Sequence, residues 1–341
     1  MGFAVFILRR ILVTIPLLIG ISIAAFAIIQ AVPGDYVDSW MSVTMSQTGQ
    51  TREQLQPQAD ALRERLGLDR SIPVQYLVWV KNIVLSWDFG QSFVYSQPVQ
   101  DVIGLRLPRS IAIAIVTLVV GQTIGVMLGI FAAVNQYKWG DVLATLVAFF
   151  GIVIPKFVLS LIILYFLAFI WHSPYLGAFY SPEYQIQDEF SFGKLWNLFL
   201  HVWPVLAISI WAGQAYTTRM MRGNLLDVMN AQYIETARAK GLSRGRILFK
   251  HAVPNALHPV IMNMGGRFDY MIKGELEIAI VLGIPTLGPL IVNSVAQRDM
   301  YIVSAIFLMV AAILVIGNLI ADILLALLDP RVRRATVSGG A

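Results

Sequence analysis

The sequence predicts an all-α membrane protein with about six transmembrane helices, and three observations predict it. Hydrophobic residues fill 57% of the 341 positions and charged residues only 13%, with a mean hydropathy of +0.70, unlike an ordinary water-soluble domain. Membrane-length runs almost free of charge recur from end to end. The hydrophilic residues gather in a few loops, one of them long. Cysteine is absent, which excludes disulfides, thiolate catalysis and cysteine metal sites.

The first run, Ile11 to Val32, is uncharged and follows Arg9-Arg10. It is too long for a signal-peptide core and has no small-residue cleavage site at its end, so residues 1–32 are a tail and a retained first helix. Residues 33–108 are soluble in composition and too long for a connector, which predicts a small external helical insertion after the first helix. Within it, Leu55 to Leu66 has helical spacing that Gly67 ends, and Ile72 to Leu85 reads as a second helix around Pro73. Asp88 and Ser92 are read as turn residues that bond the backbone near Gly90, not as catalytic groups. Residues 109–341 form the membrane core, with spans at about Ser110–Val134, Val142–Trp171, Leu195–Tyr216, Val260–Leu282 and Ile302–Leu328.

Two spans carry charge. Pro155 is expected to kink the third, and Lys156 beside it must face a water-filled cavity or a carboxylate, or snorkel to an interface, because a lysine in hydrocarbon costs about 3 kcal/mol on insertion scales. In the fifth, Asp269, Lys273 and Glu277 are spaced four apart and share one helical face, with Glu275 close by. A face that neutralises itself and lines an interior path avoids the penalty of charges turned to lipid. Lys156, Asp269, Lys273, Glu275 and Glu277 are therefore the candidate path residues.

Orientation follows from the loops. Arg219, Arg222, Arg238, Lys240, Arg244, Arg246 and Lys250 face only Asp227 and Glu235 between Arg219 and His258, and Arg331, Arg333 and Arg334 follow the last span. The connection from His172 to Lys194 is acidic instead. The positive-inside rule then puts both termini and the basic loop in the cytoplasm. That placement accounts for the net charge of +5 without nucleic acid.

The basic loop, residues 222–259, is the most hydrophilic long segment of the core. Tyr233 to Lys240 predicts a short helix with Ile234 and Ala237 on one side. Gly241 is placed to end it in a left-handed cap. Ser243 is expected to cap a second helix, Arg244 to Ala252, which Pro254 stops. Tyr216 to Arg238 is expected to run as one continuous arm. Two short helices on a glycine elbow, anchored at both ends in the bilayer, make a docking knob.

Glu235-Thr236-Ala237 with Gly241 and Pro254 resembles the EAA loop of binding-protein-dependent ABC importer permeases. Further matches point to the dipeptide and oligopeptide branch: Arg65-Leu66-Gly67-Leu68-Asp69-Arg70 with Pro73 and Gln75-Tyr76, the Trp87–Phe93 turn, Arg219-Met220-Met221-Arg222, Ile284–Gly288, and the ending Leu327-Leu328-Asp329-Pro330-Arg331. Trp87 stands where the family has Gly, Lys156 where it has an uncharged residue, and Thr286 where it has Gly. The resemblance implies the type I ABC importer permease architecture. It also implies that Tyr233, Glu235, Thr236, Ala237, Arg238, Ala239, Gly241, Leu242 and Pro254 couple to an ATPase. The implied partners are a second homologous permease, two ATP-binding subunits, an extracytoplasmic solute-binding protein and membrane lipid. The implied location is a bacterial or archaeal inner membrane.

No G-x-x-x-x-G-K-[ST] loop occurs, so ATP and Mg are assigned to the partner subunits and no cofactor to this chain. The four histidines form no metal-ligand spacing, and no nucleophile elbow is present, so neither a metal nor a catalytic residue is assigned. Two rival readings remain on the sequence alone. An ion-driven secondary transporter would be expected to show two similar halves, and no such repeat is visible. A receptor or scaffold without a path would leave Asp269, Lys273 and Glu277 as an unexplained penalty.

Overall fold

The computed structural model describes residues 2–31, 34, 36–66, 68–92, 94–186, 189, 191–264 and 275–328. Among the described residues, four helices are long and apolar enough to cross a membrane, and two bent helix pairs bring the number to as many as six. The chain divides into two compact units, residues 1–11, 109–289 and 314–341 in one, and 12–108 with 290–313 in the other.

The second unit contains most of α1 (Gly2–Ala31), then α2 (Tyr36–Thr48), α3 (Arg52–Leu66), α4 (Ile72–Ser86) and α5 (Val99–Gly104). Helices α3 and α4 fall where periodicity placed them. Helix α2 was not foreseen, because its serines and threonines are indifferent helix formers. Here Ser42, Thr44 and Thr48 return their hydroxyls to the carbonyls of Asp38, Trp40 and Thr44 at 2.7–2.8 Å. Val37 and Met41 of α2 bury against Leu55 and Ala59 of α3. Arg63 closes the hairpin on Asp38 at 2.6 Å.

After α4 the backbone of Trp87 is left-handed (φ 55°, ψ 30°), a conformation that glycine takes freely and a bulky side chain does not. The turn beyond it is held as expected by Asp88, whose Oδ1 accepts from the Gly90 amide at 2.9 Å. Ser92 accepts from the Tyr95 amide and also donates to buried Asp299 at 2.5 Å, a partner 207 residues away that no local pattern announces.

The first unit is built on α6 (Leu107–Val134) and α10 (Phe192–Met229). At 1.5 Å per residue the 38 residues of α10 extend about 57 Å, well beyond a hydrocarbon core of about 30 Å. The charged end from Arg219 onward, about 16 Å at that rise, makes up more than half of the excess. Gly125 and Gly129 of α6 lie against α10 so closely that an added Cβ would stand 2.8 Å from Thr217 Cβ and 2.6 Å from Met221 Cβ. Small residues at this spacing let two membrane helices approach, where van der Waals contact replaces the hydrophobic effect.

Between them α7 (Trp139–Val153) and α8 (Lys156–Tyr165, continued as a π turn over Phe166–Ile170) meet at 95°. The expected kink is a full break. Ile154 takes extended angles (φ −77°, ψ 118°), the conformation a following proline enforces. Short α9 (Pro182–Gln185) precedes α10.

The fifth span differs from the expected Val260–Leu282. Helix α13 (Val253–Met262) stops well short of Leu282, and the bent pair is α14 (Glu275–Leu282) with α15 (Leu287–Ala296), crossing at 77°. The positive-φ turn between them falls on Gly283 (φ +69°), leaving Thr286 free to cap α15. Helix α16 (Met300–Leu328) is the last described element.

Candidate functional site: the basic elbow

Helix α10 ends at Asn230, not in a continuous arm to Arg238. Ala231 is extended (φ −76°, ψ 145°), and α11 (Gln232–Ala239) starts anew. The break lets the apolar side of α11 join the cluster on the long helix. Ile234 and Ala237 bury with Met221 and Leu225 of α10, Ala133 of α6 and Ile247. Arg238 Nη2 donates to the Met229 carbonyl at 3.4 Å, placing a cation at the negative end of α10.

Gly241 ends α11 as the sequence predicts, with φ +73°. Its amide reaches the Arg238 carbonyl at 3.0 Å, and the Leu242 amide reaches the Ala237 carbonyl at 3.3 Å. These are the two bonds of a Schellman cap, and Leu242 packs on the same cluster that holds Ala237. No atom lies within 4 Å of a Cβ built on Gly241, so only the backbone angle demands glycine there. Alanine at Gly241 is expected to weaken the elbow locally by about 1 kcal/mol, read as faster amide exchange over 238–244.

Beyond the elbow Ser243 is the N-cap of α12 (Arg244–Arg246), but its side chain makes no capping bond. The helix does not stop at Pro254. It widens into a π turn over Ile247–Ala252 and continues as α13 (Val253–Met262), with Pro254 standing just after the π turn.

The outward face is correspondingly hydrophilic, with two aromatic exceptions. Glu235, Thr236, Arg238, Ala239, Lys240, Arg244, Arg246 and Pro254 are exposed, together with Tyr233 and Phe249, the latter 65% accessible. A groove of about 610 Å³ runs between α6, α10 and the elbow, lined by Leu225, Leu226, Leu242, Leu248 and the stems of Arg238 and Arg244.

Two links stiffen this end of the molecule, and sequence reasoning missed both. Arg222 of α10 grips Asp141 of α7 bidentately, Nε to Oδ1 and Nη2 to Oδ2 at 2.7 Å each. Asp141, 6% exposed, also accepts from the Tyr137 amide at 3.0 Å, so one carboxylate ties the α6–α7 turn to α10. Asn224 Nδ2 reaches the Ala256 carbonyl at 3.3 Å, joining α10 to α13.

The structure does not gather the expected path residues with the elbow. Asp269 and Lys273 lie outside the described residues. Lys156, half-buried, opens α8 directly after the break. Glu277 is exposed, whereas Glu275 is 1% exposed among its own chain's residues, beside the hydroxyls of Thr286 and Ser110. Ser110 Oγ accepts from the Leu287 amide at 3.0 Å, and neither carboxyl oxygen of Glu275 has a well-formed bond among the described residues. Nor do the described residues contain a group of three side chains able to hold a metal.

Several membrane-length helices, a long one of which leads into a basic elbow, define a multi-pass membrane protein. Residues 125–334 match the family described as "Binding-protein-dependent transport system inner membrane component", and residues 3–114 match its N-terminal component. The chain belongs to this family and is a permease subunit of an ABC transport system. It is 38% identical over 332 residues to the oligopeptide transport system permease protein AppB of Bacillus subtilis, covering 96% of this chain and 99% of that one. It is 32% identical over 327 residues to a putative peptide transport system permease protein of Brucella abortus, covering 96% and 98%. A probable peptide ABC transporter permease protein of Sinorhizobium fredii is 32% identical over 332 residues, covering 96% and 99%.

Proposed function

We propose that the chain supplies half of the translocation path of an ATP-driven importer of dipeptides, oligopeptides or a related solute. The observation that carries the reading is the elbow: a short helix with a buried inner face, an exposed outer face and a Schellman cap. Such a unit transmits force as a body. A second homologous permease completes the path, two ATP-binding subunits carrying ATP and Mg seat on the elbows, and a solute-binding protein delivers cargo outside. Both termini and residues 222–259 face the cytoplasm, residues 33–108 face outward, and 109–341 form the permease core.

ATP binding draws the ATPase subunits together, the elbows follow, and the path opens outward. The stiffness comes from the Arg222–Asp141 and Asn224–Ala256 links, which make α10, α7 and α13 move with the elbow rather than bend under it. Along the path, Lys156 and Glu277 are the accessible ions, with Asp269 and Lys273 completing the set. Glu275, enclosed beside Ser110 and Thr286, contributes to the wall. The chain itself performs no catalysis.

Phe249→Asp and Glu235→Lys, made separately, test the docking face. Neither side chain is buried, so each protein should reach the membrane at wild-type levels. Co-purification of the ATPase subunits should fall about tenfold, the loss of roughly 1.4 kcal/mol at an interface anchor. Undiminished co-purification in both variants overturns the docking assignment.

A further inference from the structure

A second groove, about 490 Å³, opens at the other end of α10. Its walls are almost wholly apolar and include Ala112 and Val116 of α6, and Trp196, Phe199 and Leu206 of α10. The one charged side chain in the lining is Arg109, whose guanidinium lies 4.8 Å above the ring of Phe179 in the first turn of α6. Lys194 stands over Tyr180, another wall residue, at 5.3 Å. The apolar surface is open, with Trp196 56% and Phe199 47% exposed.

We infer that this groove binds an anionic phospholipid, with the headgroup phosphate on Arg109 and one acyl chain along the apolar floor. Three observations favour that occupant. The cation lies within the first turn of a membrane-length helix, the depth at which headgroups sit, and Trp196 marks the same interfacial level. From Phe192 to Leu206 the groove follows α10 for about 21 Å, enough to take the roughly 15 Å of hydrocarbon in one leaflet. The Phe179 face holds the guanidinium without neutralising it, leaving its donors for a phosphate.

The inference needs only that α6 and α10 cross the bilayer, so it stands or falls apart from the ATPase docking. The full permease complex is reconstituted in nanodiscs of equal parts phosphatidylglycerol and phosphatidylcholine, then released and weighed by native mass spectrometry. Wild-type complex should retain phosphatidylglycerol preferentially. Arg109→Gln should lower that preference about fivefold, the roughly 1 kcal/mol of one basic residue at an anionic surface. Ala112→Trp, which fills the groove from an exposed position, should lower retention of both lipids. Unchanged retention in either variant overturns the inference, as does a cross-link from Phe199→Cys to the second permease subunit, which would show protein covering the groove.

Discussion

Leucine in place of Gly129 is expected to abolish assembly of the permease, and alanine there to weaken it severely. The Cβ alone would stand 2.6 Å from Met221 Cβ and 2.8 Å from the Thr218 carbonyl, and that carbonyl belongs to the helix backbone and has no rotamer to change. Helices α6 and α10 must separate, losing the close packing that holds helices together in lipid. Overpacking of this kind costs about 1–3 kcal/mol for a modest clash, and leucine adds three more carbons to it. The control is Gly223→Ala on α10, where no atom lies within 4 Å of the new Cβ. That change should be neutral or stabilising by up to about 1 kcal/mol through helix propensity. Heating the purified complex and measuring the fraction that still elutes intact separates the two glycines. Equal behaviour of Gly129→Ala and Gly223→Ala contradicts the packing.

The second large effect is expected at Asp141. Alanine there leaves Arg222 without its bidentate partner and the Tyr137 amide without its acceptor. Breaking a buried pair from one side costs about 3–5 kcal/mol, and the partial exposure of Arg222 puts the expected loss near 3. The functional consequence is uncoupling. With α7 released from α10, movement of the elbow no longer reaches the membrane, so ATP hydrolysis should persist while uptake falls at least tenfold. A double-mutant cycle with Arg222→Ala should return a coupling energy above about 1 kcal/mol. Additive losses would show that the two residues act separately.

The chain's organisation was legible wherever a local pattern decided it. Charge-free runs gave the long helices, and Ile234 and Ala237, three apart beside Gly241, gave the elbow with its inner face and its cap. What failed was the attempt to end or join helices from one residue. Pro254 looks like a stop signal, yet the helix continues past it, and the π turn just before it is where the backbone register adjusts. Asn230 and Ala231 carry no strong break signal, yet the apolar face of α11 must turn back on α10 to be buried, and tertiary packing sets the angle. The Asp141–Arg222 and Ser92–Asp299 pairs span 81 and 207 residues, beyond the reach of any spacing rule. The glycines of α6 at every fourth position went unread in the sequence, and such a stripe names a helix interface without naming its partner.

The absence of cysteine makes the central claim directly testable, since a single introduced thiol is the chain's only one. Phe249→Cys on the elbow and Trp171→Cys at the far end of the α7–α8 pair are both exposed, at 65% and 63% in the native residues. Each is placed in the assembled transporter and treated with a short bifunctional cross-linker that joins thiol to amine. The account predicts a cross-link from position 249 to an ATPase subunit, strengthened when ATP is bound, and none from position 171. An ATPase adduct at 171, or none at 249 with the subunits demonstrably present, would contradict it.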